Sequence, residues 1–386
     1  MRVVCVNLIL ARTLTGVERK LYEQAACSPR EVDFVLLNRF ASGKKGRLNL
    51  VKIAHGVDYR DLIFRKFSLI EKSIDLSKYD LVILRYPLAD RSYSRFIRKY
   101  RVISEHHSDE VSELRSTVLG HSPLYLKLLS LVRLCLEVKY GHDYRERCSG
   151  IVAVTNELRE KETRGIGTKV PSLTIPNGID VEAVAKTGFR KLDGQNVDLI
   201  FVGSRSSPWD GLERVTTSVY NYSGPYALRL HIVGETGFLG IKGTEKKKLI
   251  YHGVKRGAEL DKVFAKANLA VSTMGLYRKK MKEAASLKTR EYTARGIPFI
   301  LGYRDVDLVG MDEKRKFFLE VPNNAKEISI EKVLNFHVSL GEKFPRSSDL
   351  SDYMRQYAFE RMDWRGKMAK YMDFCSEVSQ SFQRGL

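Results

Sequence analysis

Apolar residues along this chain fall into short β-branched runs separated by longer segments of helical period. Val3–Leu10 reads as a strand, Gly16–Ala26 as an amphipathic helix and Val32–Leu37 as a second strand. Asp80–Leu84, Arg101–Ser104, Gly150–Val154 and Ser172–Ile175 are further strands, the last stopped by Pro176. Such alternation predicts a parallel sheet with helices on both faces. The pattern then restarts. Val197–Val202, Leu228–Val233, Leu249–His252, Leu269–Ser272 and Ile297–Leu301 read as strands, and Gly211–Tyr220, Gly257–Ala267 and Ser286–Ala294 as helices. From Ile328 onward the chain is mostly helical, with a break at Pro345. Between the two series lies Pro176-Asn177-Gly178-Ile179-Asp180, a cluster of turn formers. The expectation is an α/β protein of two doubly wound domains with a cleft between them, and ligands of such sheets bind outside the carboxyl ends of the strands.

Composition narrows the classes. With 386 residues, 43% apolar and 29% charged, the chain is long enough for two cores and is not wholly disordered. Its net charge is +20, and the excess is even: 31 basic against 21 acidic residues in 1–180, 35 against 25 in the remainder. That balance fits an anionic partner, whether nucleic acid, a phosphorylated metabolite or an acidic membrane surface, or simply a basic solvated surface. No RNP-like strand, helix-turn-helix or zinc pattern supports nucleic acid. The five cysteines are odd in number, widely spaced and without a C-x-x-C pair, which argues against a disulfide framework or a zinc ribbon. Arg12 ends the first apolar run early and no cleavage site follows, so it reads as a strand and the cytoplasm is the expected location. No stretch approaches about 20 uncharged apolar residues. The nearest, Leu124 to Val138, is interrupted by Lys127, Arg133 and Glu137. It is either a buried helix of the N-terminal domain or one that lies in a membrane interface with its cations snorkelling.

The strongest chemical signal lies in Met281-Lys-Glu-Ala-Ala-Ser-Leu-Lys-Thr-Arg-Glu-Tyr-Thr-Ala-Arg-Gly-Ile-Pro298, where seven residues separate Glu283 from Glu291. Ser286 is a plausible N-cap, which places Glu283 in the preceding loop and Glu291 inside the helix. The unsatisfied N–H groups around Ala285, Ser286 and Leu287 would suit a diphosphate, and the flanking carboxylates sugar hydroxyls. The competing reading is a solvated helix with a Lys288–Glu291 pair. His55, His121, His142, His231 and His337 are scattered without ligand spacing. The loop Tyr251-His252-Gly253-Val254-Lys255 follows a strand and is a candidate contact for a nucleotide base, with Val254 at its tip.

Glu283-x7-Glu291 followed by Arg295-Gly296-Ile297-Pro298 resembles the donor-site motif of retaining GT-B glycosyltransferases, particularly family 4, of the kind found in bacterial capsule, exopolysaccharide and lipopolysaccharide assembly. Thr15-Gly16-Val17-Glu18-Arg19 looks like the loop and helix that approach the donor phosphates in that family. Ser104-Glu105-His106-His107-Ser108 is similar to its histidine loop. Ala153-Val154-Thr155-Asn156-Glu157 with Ile175–Asp180 looks like its last N-domain strand and linker. Phe201-Val202-Gly203-Ser204 with Pro208-Trp209-Asp210-Gly211-Leu212 resembles the first strand-loop-helix of its C-domain. The ordered set covers nearly the whole chain. The resemblance implies a GT-B fold of two Rossmann-like domains facing a central cleft: an acceptor-side domain over 1–178, a nucleotide-sugar domain over 179–365, and a segment 366–386 returning to the first. Glu291 would bind ribose hydroxyls, Glu283 the transferred sugar, the Ser286 and Leu287 amides the diphosphate, and His107, or alternatively His106, the donor sugar or acceptor near the reacting centre. Gly16 either approaches the phosphates or caps its turn.

One departure stands out. The family carries an Arg and a Lys after the first C-domain strand, whereas here Arg205 is displaced by one position and Asp210 occupies the Lys position. The cationic role then falls to Arg205, Arg278, Lys279 or Lys288, and Arg278 and Lys279 alternatively form a solvated turn. Trp209 is core, a lid on the base or part of an acceptor surface. Asp305-Val306-Asp307 has metal-ligand spacing but reads as a turn, so no cofactor and no metal are expected. The implied function is metal-independent, retaining transfer of a sugar from a nucleotide-diphosphate donor to a glycan or lipid-linked glycan in surface polysaccharide synthesis, with peripheral contact to an anionic membrane and no nucleic acid. Alternatives are a non-catalytic GT-B subunit, and a GT-B epimerase or sugar-phosphate synthase.

Overall fold

The computed structural model describes residues 1–9, 16–40, 42–53, 58, 60–120, 123–166, 170–192, 194–203, 208–234 and 248–383. The chain forms two compact units, Met1–Pro176 with Trp364–Leu386, and Asn177–Asp363. The dividing points fall two residues before those implied by the sequence resemblance, at 176 and 363. The reason is local: Asn177 is already bonded to Ala285 and Arg290 of the second unit, while Trp364 is already packed in the core of the first.

In the first unit the strands are β1 (Val3–Leu8), β2 (Val32–Asn38), β3 (Gly43–Lys45), β4 (Leu48–Lys52), β5 (Leu81–Arg85), β6 (Val102–His106), β7 (Gly150–Ala153) and β8 (Ser172–Thr174). Among them run helices α1 (Gly16–Cys27), α2 (Asp61–Phe64), α3 (Lys66–Ser73), α4 (Tyr93–Lys99), α5 (Glu110–Leu119), α6 (Leu124–Glu146) and α7 (Asn156–Glu162). The sheet order is β3-β4-β2-β1-β5-β6-β7-β8, parallel except for the β3/β4 hairpin. Val3 and Cys5 of β1 enter one core cluster, Val4 and Val6 the other. The period-2 alternation therefore feeds two helical layers, which is why these strands are apolar on both faces. The hairpin Gly43–Lys45 has no such pattern, since this edge strand is exposed throughout.

The last helix, Trp364–Gln383, belongs to this unit. Trp364, Met368, Tyr371, Cys375 and Val378 recur at helical spacing and are buried against Val3, Cys5, Leu21 and Phe34. Each such buried side chain contributes about 2 kcal/mol by removal from water.

The second unit contains β9 (Asn196–Val202), α8 (Leu212–Asn221), β10 (Ala227–Val233), β11 (Leu249–Gly253), α9 (Gly257–Phe264), β12 (Leu269–Val271), β13 (Glu283–Ala284), α10 (Leu287–Arg295), β14 (Phe299–Leu301), β15 (Arg304–Asp305), β16 (Phe318–Glu320), α11 (Ile330–Lys343) and α12 (Ser347–Arg361), so that the chain-terminal helix is α13. Its main sheet is parallel in the order β11-β10-β9-β12-β14-β16, the doubly wound Rossmann order with its switch point between β9 and β12. Ile200 faces one core cluster while Leu199 and Phe201 face the other. Pro345 falls in the break between α11 and α12.

Trp364→Ala is expected to cost the first unit about 3–5 kcal/mol, the range for emptying a buried aromatic site. Urea unfolding followed by circular dichroism would show an earlier transition for that unit, and an unchanged curve would mean that α13 does not stabilise it.

Candidate active site

The acidic segment is held at the switch point of the second unit. Tyr292 of α10 is fully buried; its hydroxyl accepts from the Val202 N–H at 3.3 Å and donates to the Val271 carbonyl at 3.1 Å. Those two residues end β9 and β12, so this one side chain ties α10 to the carboxyl ends of both switch-point strands. Ser286 caps the helix, its hydroxyl accepting from the Lys288 N–H, and Gly296 closes it at φ +74°. A side chain at Gly296 would be strained by that φ and would also meet Ser351.

Glu283 does not lie in a loop as the sequence suggests. It forms the two-residue strand β13, parallel to β15, where Arg304 donates to its carboxylate at 2.6 Å. So short a pairing leaves no periodic signal. Glu291 is buried and accepts from Arg295 Nε and Nη2 at 3.1 and 3.0 Å. The Lys288–Glu291 pair of the solvated-helix reading is not formed. Lys288 turns instead to Asp210, 2.7 Å away, and lies 4.1 Å from the Phe201 ring centre. Burial pulls its ammonium below the ordinary lysine value while Asp210 opposes that shift.

The phosphate-loop candidate is stitched to the neighbouring strand end. Met274 N–H donates to the Asp210 carbonyl and Gly275 N–H to that of Trp209. Gly211 adopts φ +63°, and a Cβ there would come within 2.5 Å of the Gly275 nitrogen, so only glycine fits. Arg278 donates to Glu213 at 2.6 Å and to the Pro208 carbonyl, and the Lys279 ammonium lies 3.7 Å from the Trp209 ring centre. Arg278, Lys279 and Trp209 thus meet around one loop. Arg205 and Ser204 lie outside the described residues, as does Thr15; Gly16 begins α1. Val254 is exposed just past β11, whose His252 touches His231 at 2.9 Å.

Arg290, inside the motif, was not singled out by sequence. It is fully buried, donates to the carboxylates of Asp305 and Asp307, and its Nε donates to the Asn177 carbonyl at 2.8 Å. Asn177 in turn donates to the Ala285 carbonyl. The Asp305-Val306-Asp307 spacing therefore serves a buried guanidinium, and the linker is fastened to the acidic segment.

In the first unit the two histidines separate. His106 is part of the interior: fully buried, 2.9 Å from the Ser104 hydroxyl, packed against the Tyr86 ring, with Glu162 3.5 Å from Nδ1. His106, Glu110 and Glu162 form a group whose ligand atoms lie within 4.8 Å of one another. Arg145, 3.4 Å from Glu162, already supplies positive charge there. His107 sits beyond the end of β6 with Lys20 Nζ 3.2 Å from both ring nitrogens and Glu105 3.2 Å from Nε2. Burial, and then the Lys20 ammonium, depress His107 to about 3. Burial also lowers Lys20 to about 8, against the opposing pull of Glu105. This arrangement fits a neutral imidazole whose Nε2–H donates to Glu105 while Nδ1 accepts from Lys20. Lys20 and Glu105 were missed as site residues; a lysine in an apolar helix face was the signal, since a buried ammonium requires a carboxylate.

No known sequence family and no curated protein matches this chain. In three dimensions it is similar to glycosyltransferases. Sucrose-phosphate synthase from Thermosynechococcus elongatus superposes with a TM-score of 0.63 at 12% identity, covering 98% of this chain and 100% of that one. Anabaena HepE in complex with UDP-glucose gives 0.63 at 13%, covering 97% and 99%. The pneumococcal O-GlcNAc transferase GtfA, solved with UDP and GlcNAc, gives 0.61 at 12%, covering 98% and 99%. At these identities the likeness establishes the fold, which is GT-B.

His107 is expected to stay neutral from pH 8 down to pH 5, with no imidazole titration in nitrogen-15 NMR spectra. Because its folded pKa lies below the ordinary 6.5, its contribution to stability is complete above that pH and is lost as pH falls toward about 3. A titration midpoint near 6.5 would contradict the buried Lys20–His107–Glu105 arrangement.

Proposed function

We propose that this chain is a retaining GT-B glycosyltransferase that moves a sugar from a nucleotide-diphosphate donor to a glycan or lipid-linked glycan in surface polysaccharide synthesis, in the cytoplasm and without a metal. The observation that carries the reading is the placement of α10. Its Ser286-capped end, Glu283 and Glu291 on either side of that end, and Lys288 reaching Asp210 all belong to one segment pinned at the β9/β12 switch point. In a doubly wound domain that is where a nucleotide is held. The solved neighbours bound to UDP, UDP-glucose, or UDP with GlcNAc make a uridine donor the first to test.

In this reading the bond between the sugar anomeric carbon and the diphosphate oxygen breaks through an oxocarbenium-like state, and a bond to the acceptor oxygen forms on the same face. The acceptor proton passes to the departing diphosphate. The Ser286 and Leu287 amides and the Lys288 ammonium stabilise the growing negative charge. Glu291 binds the ribose and Glu283 the transferred sugar. Neutral His107 contacts the donor sugar or acceptor without adding charge to the oxocarbenium centre. The pairing with Lys288 bears on Asp210, the feature that favours a non-catalytic subunit. Where the family sets a lysine in the loop, this chain sets an aspartate in the loop and a lysine on the facing helix.

The test is thermal shift and released diphosphate with UDP-, GDP-, ADP- and dTDP-sugars, without added metal. One donor is expected to stabilise the wild type and to be slowly hydrolysed, with both effects lost in Glu291→Ala. Lys288→Met is expected to lower turnover about 100-fold, the scale of one lost charge-stabilising donor. Binding without hydrolysis would favour the non-catalytic subunit, a free epimerised sugar or sugar phosphate would favour the other enzymes, and no shift with any donor would sink the transferase reading.

A further inference from the structure

Helix α6 is amphipathic in the wrong sense for a surface helix. Its inward stripe carries Ser130, Glu137, Gly141 and Tyr144, all buried. Glu137 accepts there from the Tyr86 hydroxyl, the Ala89 N–H and Arg145. The outward stripe carries Leu124, Leu128, Leu131, Cys135 and Val138, spaced four, three, four and three residues apart. Leu124 is 72% exposed, Leu128 56%, Leu131 44% and Val138 72%, with Tyr125 beside them at 69%. Leu119, at the end of the α5 helix that packs on α6, is 85% exposed. The fourteen steps from Leu124 to Val138, at 1.5 Å each, make an apolar stripe about 21 Å long. Single exposed leucines are ordinary, but a continuous exposed apolar face marks an interaction surface.

Charge selects the occupant. From Arg115 to Lys139 the only acidic residue is Glu137, which is buried. Arg115 and Lys139 are exposed and Lys127 half-exposed, with the two lysines flanking the stripe on α6. Helix α4, which packs on α6, adds exposed Arg95 and Arg98. A second copy would bring another +20 chain against the same basic rim. A leaflet of anionic lipids instead offers hydrocarbon to the leucines and phosphates to the cations. No helix among the described residues is long and apolar enough to cross a membrane, and α6 itself carries Glu137, Asp143 and Glu146, so it would lie in the plane of the interface.

We infer that the exposed face formed by Leu119 of α5 and the Leu124–Val138 stripe of α6 docks this protein on an anionic lipid bilayer, with Leu124, Leu128, Leu131 and Val138 in the acyl boundary and the flanking Arg and Lys side chains on the headgroup phosphates. The inference uses no residue of the proposed donor site and stands apart from that reading.

The test is flotation of the full chain with phosphatidylglycerol-containing vesicles and with pure phosphatidylcholine vesicles. Binding is expected to the former, weakened by salt, and to fall at least tenfold in Leu128→Glu/Leu131→Glu. These positions are exposed, so the thermal midpoint of the variant should match the wild type. Any stabilisation by a nucleotide sugar should also persist, which separates failure of this inference from failure of the donor site. Cys135 gives a second readout, because Cys5, Cys148 and Cys375 are buried and Cys27 is half-buried. In a Cys27→Ser background, an environment-sensitive fluorophore on Cys135 should shift to the blue only with anionic vesicles. Absence of vesicle binding, equal binding by the variant, or a sedimenting dimer that the variant splits would each overturn the inference.

Discussion

A buried guanidinium organises the second unit. Arg290 lies on α10 with no exposure to solvent, and a charge so placed is tolerated only where opposite charges and acceptors surround it. Asp305 and Asp307 supply the charges, and the Asn177 carbonyl supplies an acceptor. Satisfying Arg290 therefore draws the chain just after β14 back under the acidic segment. There β15 pairs with β13 and brings Arg304 to Glu283. The same demand fastens the linker residue Asn177, which also donates to Ala285 just ahead of the Ser286 cap. One desolvated cation thus sets the positions of the first carboxylate, the helix start and the linker together.

The polar chemistry of both units follows a common rule. Charges taken out of water in the two candidate sites come as pairs or triads: Lys288 with Asp210, Glu291 with Arg295, and Lys20 with His107 and Glu105. Such a pair is preorganised, since its members are already desolvated and aimed before any ligand arrives. In the first unit the consequence is an imidazole kept neutral by burial and then by the Lys20 ammonium. In the second it is a loop whose aspartate orients a lysine from the facing helix. The net +20 is meanwhile carried largely by exposed side chains, and around α6 it borders an apolar face that is exposed among the described residues.

Much of this was legible in the order of residues. The β-branched runs located most strands to within a residue or two, because a strand buried on both faces must be apolar at nearly every position. Ser286 announced itself through local capping, and the tail from Ile328 onward through its helical character. The two-residue strands β13 and β15 and the exposed hairpin strand β3 did not, since pairings so short or so exposed leave no periodicity to read. Nor did the inversion of α6. A helix apolar over much of its circumference looks the same in sequence whichever way it faces, and only the packing of Glu137 and Tyr144 into the interior shows that the leucines point outward.

What the sequence by itself determined was therefore the class of fold, the two series of strands, and the segment from Glu283 to Glu291 as a capped helix start flanked by two carboxylates. These follow from periodicity and from contacts within a few residues. Tertiary structure alone decided which charges meet. Lys288 and Asp210 are 78 residues apart, Arg290 and Asn177 113, and Lys20 and His107 87. No local pattern encodes such partners. They are selected when the sheet closes and each buried ion must find its counter-charge in whatever the fold brings within reach.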